Sequence, residues 1–403
     1  MERHVAERRR VAVTGIGAVT PIGTGRDALW AGLRAQRSAV ARVTRFDTSA
    51  YRSHNGAQVN DFVDTDFVER KKVKRLDRYG TFSIACAKLA LDDAGIDMAR
   101  EDRERIGVMM GSALGGIRFA EEQLGVFGGS SSCNIAIELG AMGPNSSNAM
   151  SCASGTVAIG DAFRAIRDGY ADVMFAGAAE APLAPLCYGA FAIIRAMSTR
   201  DDDPSAASRP FDKDRDGFVM GEGAAILILE ELDRALARGA HVYAEVVGYG
   251  TSNDAHHMTA PRPDGSQAAR SMRLALQDAG LSPTEVAYVN AHGSSTPLND
   301  PTETLAVKHT FGEHAQRLQV SSTKAYYGHA LGASGAIEAA ITALALERKW
   351  LPPTLNLDSP DEGCDLDYIP KLGREADVEY ALSNSFGFGG INATVALKRH
   401  DGV

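Results

Sequence analysis

Cys152, in the stretch NAMSCASGTVAIGDAFRAI, is the side chain in this sequence whose setting best suits covalent chemistry. It lies among Ser, Ala and Gly residues, directly before a run with helical spacing. The N–H groups and the positive end of a helix stabilise an anion, which lowers the pKa of a thiol and favours the thiolate. The alternative is a cysteine that packs as a small buried hydrophobe, which fits Cys86, Cys133, Cys187 and Cys364.

Two histidines and a lysine lie in loops that could join this chemistry. His292, in YVNAHGSSTP, lies where a predicted strand ends, and ligand sites gather at such ends in parallel α/β sheets. A structural loop histidine is an equal alternative. Lys324 and His329 flank a Tyr-Tyr-Gly turn in VSSTKAYYGHALGASG. A lysine among apolar residues needs a partner, because desolvation penalises its charge. Glu338 on the next helix is the candidate partner, and an exposed loop lysine is the alternative.

The stretch SNSFGFGGINA could supply backbone donors to an oxyanion. Its glycines, Gly387, Gly389 and Gly390, surround Phe388 and permit positive φ and a close approach of the backbone. Amides in such a loop can stabilise developing negative charge. A tight β-hairpin is the other interpretation, and the two are compatible.

Composition narrows the class of protein. The chain has 403 residues, of which 44% are hydrophobic and 23% charged, as is ordinary for a globular enzyme. Its net charge of −9 argues against binding nucleic acid. Five cysteines without CxxC pairs favour a reducing cytoplasm and argue against disulfides and a zinc site. No run reaches the roughly 18 apolar residues of a membrane span.

Strands alternate with helices along the chain, which indicates a layered α/β fold with a largely parallel central sheet. The patterns predict a helix over residues 27–37, then a loop to about residue 63. They also predict one helix from residue 69 to Gly95, and two strands around the Gly turn near residue 388. SCASGTVAIGDAFRAI and GHALGASGAIEAAITAL resemble each other. We therefore expect a duplicated half whose two helices of small residues pack centrally.

Five stretches in combination resemble a known family. They are MSCASG, RPFDKDRDGFVMGEGA, NAHGSSTPLND, SSTKAYYGHALGASG and NSFGFGG. Over residues 11–398 the chain is similar to the chain-elongating type II β-ketoacyl-acyl-carrier-protein (ACP) synthases of the thiolase-like superfamily. The resemblance implies thiolase-like duplicated α/β halves forming a layered α-β-α-β-α architecture. It places the nucleophile in a half spanning residues 1–240, and the two His, the Lys and the Gly-rich loop in a half spanning residues 241–403.

The resemblance also implies a decarboxylative Claisen condensation. Cys152 would carry the acyl chain as a thioester, with its oxyanion against the N–H groups of Cys152 and Phe388. His292 and His329 would bind the malonyl-ACP carbonyl and stabilise the enolate formed as carbon dioxide leaves. Lys324, paired with Glu338, would act electrostatically. The family needs no metal or organic cofactor, because the phosphopantetheine arrives on the substrate ACP.

Further positions match subsites of the family. Thr259, Ser294 and Thr296 would line the pantetheine tunnel, while Phe388 and Leu114 would gate the two substrates and the acyl pocket. A basic cluster would receive the acidic carrier protein, and its members are Arg70, Lys71, Lys72, Lys74, Arg75 and Arg195. A solvated helix face is the alternative for the first five.

Two departures from the family leave the pathway open. The segment before Gly140 is shorter than usual, which affects the expected dimer contact and chain length. Tyr326 and Tyr327 replace smaller residues and could mark an altered substrate. A ketosynthase of a type II polyketide or polyene pathway is therefore an alternative.

Other classes are disfavoured by particular residues. The presence of Cys152, His292 and His329 disfavours a non-catalytic partner subunit. A thiolase would need a second cysteine in the C-terminal Gly-rich loop, and a Cys-His hydrolase would not need a second His and a Lys. We expect a homodimer, or a heterodimer with a ketosynthase-like subunit.

Overall fold

The structure is a computed structural model that describes residues 8–74, 76–115 and 131–402. Its strands are β1 (Val11–Thr20), β2 (Gly23–Thr24), β3 (Ala41–Arg42), β4 (Asn55–Ala57), β5 (Ile106–Gly111), β6 (Asn145–Asn148), β7 (Val173–Glu180), β8 (Met220–Gly221), β9 (Gly223–Glu231), β10 (Ala244–Asn253), β11 (Val286–Asn290), β12 (Gln319–Ser321), β13 (Trp350–Leu351), β14 (Arg374–Glu375), β15 (Tyr380–Gly387) and β16 (Ile391–Arg399). Its helices are α1 (Arg26–Arg34), α2 (Arg70–Val73), α3 (Arg78–Ala94), α4 (Ser131–Leu139), α5 (Ser154–Arg167), α6 (Pro185–Ile193), α7 (Leu232–Ala237), α8 (Ser266–Ala279), α9 (Asn299–Phe311), α10 (Lys324–Tyr327) and α11 (Ser334–Glu347).

The main sheet repeats one strand order twice. Its strands run β12-β11-β15-β16-β10-β1-β9-β7-β5-β6. We number the strands of each half along the chain. From the edge of the sheet to its centre, each half then places its third, second, fourth, fifth and first strand. The first strands, β1 and β10, join the halves with Val11 opposite Val246. This confirms the duplication expected from the sequence. The second repeat begins at β10, while the division of the chain at residues 240/241 stays a prediction.

The sheet is mixed rather than largely parallel, so that expectation was wrong. Within the main sheet, the described strands that pair in parallel are β5 with β6 and β7, and β11 with β12 and β15. The other neighbours in the main sheet pair antiparallel. The cause is clearest at β15 and β16, because a tight hairpin must return the chain antiparallel, whereas a parallel neighbour needs a long crossover. This hairpin is the pair of strands predicted around the Gly turn.

Two helices of small residues form the middle layer. Helices α5 and α11 contact each other and strands of both halves, while α3 covers β1 and β9 and α8 covers β10 and β16 on the outside. Residues from Ser334 to Leu346 are all buried. A Cβ at Gly155 would lie 2.6 Å from Ala336 N, and one at Gly335 would lie 2.2 Å from Thr156 Oγ1. Glycine is thus required where the two helices cross, and the layers follow the expected α-β-α-β-α order.

Local helix boundaries differ from the predictions. The helix predicted from residue 69 to Gly95 is two helices, because the Asp77 side chain accepts the Tyr79 N–H and begins α3 anew. Its predicted end is confirmed by Gly95, whose φ is 63°. Helix α1 ends at Arg34 rather than at residue 37, and β3 and β4 lie within the predicted loop. Among the described residues, no helix is long and apolar enough to cross a membrane.

Candidate active site

Cys152 lies in the turn that begins the central helix α5. A 3₁₀ turn, Ser151–Ala153, leads directly into α5, and Ser151 has a φ of 50°. Cys152 is 8% exposed and faces a cavity of about 290 Å³. The backbone N–H groups of Cys152 and Phe388 donate towards its sulfur. The structure therefore places this thiol at a helix start, as predicted.

The expected thiolate, however, is not the resting form. Burial raises the pKa of the Cys152 thiol to about 11, and the opposing effects of the Lys324 ammonium and the two amides are smaller. The sulfur belongs to an apolar cluster with Leu183, Tyr188 and Phe218. These groups come from distant parts of the chain and make the surroundings of the sulfur apolar. Cys152 is consequently protonated at neutral pH.

His292 and His329 lie together beside Cys152. Both line the same cavity, and their ring centroids are 5.3 Å apart at 80°. His292 follows β11, and its backbone N–H donates to Glu303 Oε1 at 2.9 Å. His329 follows α10, and its Nδ1 lies 2.8 Å from Ser334 Oγ.

Both imidazoles are neutral at neutral pH. The pKa of each lies well below its usual range, because burial disfavours the charged form and the nearby Lys324 ammonium adds to the effect. A neutral imidazole keeps one N–H donor. The pair can therefore donate two hydrogen bonds to an oxygen on which charge develops.

Lys324 has the partner that the sequence suggested. It begins α10, is 1% exposed, and forms an ion pair with Glu338 of α11. Its Nζ also donates to the backbone oxygen of His292. Burial raises the pKa of Glu338 to about 7, while the Lys324 charge opposes that rise. Lys324 thus fixes the His292 loop and supplies the positive charge nearest the two rings.

The Gly-rich hairpin forms the opposite wall. Gly389 and Gly390 have φ of 84° and 74°, as the glycine pattern predicted. Gly387 serves a different purpose, because a Cβ there would lie 3.1 Å from Cys152 N. Phe388 stacks on Phe191 with ring centroids 6.3 Å apart, and both rings line the cavity.

Comparisons with known proteins now bear on this site. Residues 8–235 match the family "Beta-ketoacyl synthase, N-terminal domain", and residues 243–358 match "Beta-ketoacyl synthase, C-terminal domain". The chain is 49% identical to a 3-oxoacyl-[acyl-carrier-protein] synthase 2 of Synechocystis sp., over 98% of this chain and 99% of the relative. The chain belongs to the β-ketoacyl synthase family. This confirms the resemblance drawn from five stretches of sequence and makes the protein an acyltransferase.

Solved structures agree with the fold. The ishigamide ketosynthase/chain length factor matches with a TM-score of 0.91 and 35% identity, over 98% of this chain and 100% of that one. A type II PKS acyl-carrier protein in complex with its ketosynthase, bound to the hexaketide, matches with a TM-score of 0.89 and 36% identity over the same shares. Both support the thiolase-like fold of this synthase.

The residues matched to the pantetheine tunnel line the same cavity as Cys152. Ser294 and Thr296 lie in the loop after His292, with their hydroxyl oxygens 2.9 Å apart. Thr259 is exposed at the rim. Arg195, also exposed, lies at the cavity as well.

Other predicted residues lie elsewhere. Leu114 is half-buried in the apolar cluster of Cys152 but lines a separate cleft near Tyr79. Arg70, Lys71, Lys72 and Lys74 are exposed on or beside α2 and do not line the cavity. Lys72 is partly neutralised, because its Nζ lies 2.6 Å from Glu138 Oε2. Arg75 and residues 116–130, which include the first part of the short segment, lie outside the described residues, while the rest of that segment forms α4.

Tyr326 and Tyr327 do not mark the substrate pocket in this structure. Both are 0% exposed and belong to the main apolar core. The Tyr327 hydroxyl lies 2.7 Å from Thr323 Oγ1, and neither ring lines the cavity. The suggestion of an altered substrate therefore loses this support.

Sequence reasoning missed two buried carboxylates next to the site. Glu303 accepts the N–H groups of His292 and Gly293, and Glu180 accepts those of Ala113, Leu114 and Gly332. The available signal was a single acidic residue inside an apolar stretch, as in FAGAAEAP. Such a residue needs donors, but its sequence does not say which.

Proposed function

We propose that this synthase lengthens an acyl chain held on Cys152 by decarboxylative condensation with a malonyl thioester on ACP. The observation that carries the proposal is one cavity containing a thiol, two backbone amides aimed at it, and two neutral imidazoles. Each of these groups has a role in the condensation, whereas a simple hydrolase would not require all of them.

The first step transfers the acyl group to the enzyme. The Cys152 sulfur attacks the thioester carbonyl of acyl-ACP, and the amides of Cys152 and Phe388 stabilise the oxyanion. The bond to the pantetheine sulfur breaks, and that sulfur takes the proton that Cys152 gives up. Because the resting thiol is protonated, this proton transfer belongs to the acylation step.

The second step forms the carbon nucleophile. Malonyl-ACP loses carbon dioxide, and the electron pair of the broken bond forms an enolate whose oxygen accepts N–H donation from His292 and His329. Two neutral donors suit this step, because they bind the developing charge more strongly than the ground-state carbonyl. The Lys324 ammonium adds electrostatic stabilisation and keeps both rings neutral.

The third step joins the two substrates. The enolate carbon attacks the acyl carbonyl on Cys152, a carbon–carbon bond forms, and the carbon–sulfur bond breaks. The departing sulfur takes one proton from solvent and regenerates the thiol. The products are β-ketoacyl-ACP and carbon dioxide, and apart from that proton the steps use this chain's groups and the phosphopantetheine of the substrates.

A polyketide role is the second candidate. Its support is the close match to two ketosynthases whose descriptions name a chain length factor and a type II PKS carrier protein. The fatty-acid candidate is supported by the 49% identity to a 3-oxoacyl-[acyl-carrier-protein] synthase 2. A saturated, fully processed acyl-ACP as the preferred acyl donor favours the fatty-acid role, and a poly-β-keto chain favours the other.

We further propose that ACP approaches near Arg195 and the described members of the basic cluster. Arg195 borders the cavity, and Arg70, Lys71 and Lys74 are exposed. Lys71→Glu should raise the apparent KM for ACP several-fold at low salt, and added salt should shrink the difference. Lys72→Glu also breaks the pair with Glu138, so Lys71 is the cleaner position. An unchanged KM at low salt would remove Lys71 from the docking surface.

A homodimer is the proposed assembly. Among the described residues, strand β6 forms one of the two edges of the main sheet, and Asn145, Ser146 and Ser147 are exposed. Ile137 and Met142 nearby along the chain are 80% and 65% exposed. An open edge beside apolar side chains favours pairing with a second copy. Light scattering should give twice the mass of one chain, and a single-chain mass would contradict the proposal.

One reconstitution tests the function as a whole. Purified protein is mixed with acyl-ACP and malonyl-ACP, and intact ACP is analysed by mass spectrometry. β-Ketoacyl-ACP, with one carbon dioxide released per product, is expected. Cys152→Ala is the matched control and should give none. Free fatty acid as the main product would instead indicate a hydrolase.

A further inference from the structure

Glu180 is a buried carboxylate that the proposed steps leave unused. It is the last residue of β7 and is 0% exposed. Within the part of the chain that the structure describes, amide and hydroxyl donors rather than a cation surround it. A buried charge without a cation is costly unless hydrogen bonds hold it. The hydrogen bonds to Glu180 must therefore offset the cost of burying its charge.

Its two oxygens join two segments that are far apart in sequence. Oε2 accepts the N–H groups of Ala113 at 2.6 Å and Gly332 at 3.2 Å. Oε1 accepts the Ser112 hydroxyl at 2.9 Å and the Leu114 N–H at 3.3 Å. The loop after β5 is thus tied to the turn Leu331–Ala333 that begins α11.

Both segments border the nucleophile. Leu331 lines the cavity and shares the apolar cluster of Cys152, against which Ala113 and Leu114 pack. The segments approach closely, since a Cβ at Gly332 would lie 2.4 Å from Ala113 N. The carboxylate is the polar group between them.

We propose that Glu180 is a positioning residue that sets the apolar wall beside the acyl group on Cys152, by holding the Ala113–Leu114 backbone against the Leu331–Ala333 turn. This inference rests on the proposed function, because the wall matters only if Cys152 carries an acyl chain. Glu180 contacts no substrate itself and acts through Leu114 and Leu331.

The isosteric variant Glu180→Gln should release one contact in particular. The amide oxygen can keep the donors Ala113 and Gly332. The amide nitrogen then lies on the side of Ser112, whose hydroxyl can turn to accept. The Leu114 N–H has no such freedom and would face another donor. Leu114 should therefore loosen while the rest of the junction holds.

The charge of Glu180 gives a second, independent readout. Among the described residues, the Glu180 charge acts on Cys152 and Tyr79, and it contributes to the raised pKa of Cys152. Glu180→Gln removes that negative charge and should move the pH midpoint of Cys152 alkylation downwards. Burial raises the pKa of Glu180 itself to about 7, so the carboxylate is ionised over the alkaline range of this titration.

The experiment measures both properties in full-length protein. First, kcat/KM is measured for short, medium and long acyl-ACP donors. Second, iodoacetamide labelling of Cys152 is followed against pH by peptide mass spectrometry. For Glu180→Gln we expect the ratio of best to poorest donor to change about tenfold, as for one lost hydrogen bond to a charged group, and the labelling midpoint to fall.

Two further variants separate positioning from general damage. Asp93→Asn removes a half-buried carboxylate that also accepts a backbone N–H, from Ile16, but lies outside this cavity; it should change neither readout. Leu114→Ala should change the donor ratio without moving the labelling midpoint. This variant tests the role of the apolar wall even if Glu180→Gln does not fold.

The outcomes are distinct. A Glu180→Gln protein with the donor profile and labelling midpoint of wild type overturns the proposal, as does a Leu114→Ala protein with an unchanged profile. If wild type elongates no donor, the proposed function fails instead. In that case the labelling midpoint still shows whether the Glu180 charge acts on Cys152.

Discussion

The two halves of the sheet begin their central helices with the same turn but use it differently. Ser151–Ala153 precedes α5, and Leu331–Ala333 precedes α11. Each turn starts with a residue of positive φ, 50° at Ser151 and 43° at Leu331. The second residue is Cys152 in one half and Gly332 in the other.

The difference continues at the strand that ends beside each turn. Strand β15 ends at Gly387, whose missing side chain leaves the Cys152 amide open to the cavity. Strand β7 ends at Glu180, whose carboxylate accepts the Gly332 amide. The scaffold thus builds an anion-binding turn twice. One half fills it with an internal carboxylate, and the other leaves it free for the oxyanion of a substrate.

The largest effect is expected when the strand end beside Cys152, Gly387, is given the carboxylate found at the strand end beside Gly332. Gly387→Glu should place a carboxylate at the Cys152 amide and lower the rate of acyl-enzyme formation about 10²–10³-fold, the usual cost of losing an oxyanion donor. Intact mass against time measures this rate. Gly387→Ala is the graded control and should fall between this variant and wild type. A Gly387→Glu protein as fast as wild type would show that the amide is not used.

The two halves also differ in their catalytic side chains, because His292 and His329 both lie in the C-terminal half. His329→Ala should lower malonyl-ACP decarboxylation about 10²-fold by removing one enolate donor. Acylation of Cys152 should stay largely intact, since its oxyanion is bound by amides. Release of carbon dioxide and acyl-enzyme mass measure the two steps separately. Equal loss of both steps would contradict the division of roles.

The filled turn should tolerate no side chain. A Cβ at Gly332 would lie 2.4 Å from Ala113 N and 2.7 Å from Glu180 Oε2. Gly332→Ala should therefore reduce the free energy of unfolding by about 1–3 kcal/mol, as overpacking does. Gly80→Ala in α3 is the control, because its Cβ would meet nothing closer than 3.5 Å. Denaturant unfolding compares them, and an equally stable Gly332→Ala protein would mean that the junction is loose.

The smallest expected effect concerns pH. The pKa of His292 and His329 lies well below the usual range, so both rings are already neutral at about pH 7 and raising the pH removes no further proton. Decarboxylation should thus vary by less than about twofold between about pH 8 and pH 9, which lies above the pKa of about 7 of Glu180 and Glu338. A rate that climbs through this range would show that a cationic imidazole must first lose its proton.

The sequence predicted the parts of the site that are local. Small residues before a helical run located Cys152, and the glycines around Phe388 predicted both the hairpin and its positive φ values. The Lys324–Glu338 pair followed from the cost of burying an ammonium near a helix that carried a carboxylate in its apolar part. These inferences needed only neighbours in sequence.

What the sequence could not predict depends on distant contacts. The thiol is protonated because it is buried in an apolar cluster with Leu183, Tyr188 and Phe218, and none of them is adjacent to Cys152 in sequence. Tyr326 and Tyr327 belong to the apolar core that also contains the small residues of the central helices. The donors to Glu180 come from the loop after β5 and the turn before α11, so its role becomes clear only when both halves are assembled.

The central claim is that Cys152 alone carries the acyl chain. It is tested most directly by incubating wild type and Cys152→Ala with acyl-ACP and recording intact and peptide masses. The account predicts one acyl group per wild-type chain, on the peptide that contains Cys152, and none on the variant, although Cys86, Cys133, Cys187 and Cys364 remain. An acyl adduct on the Cys152→Ala protein would contradict it.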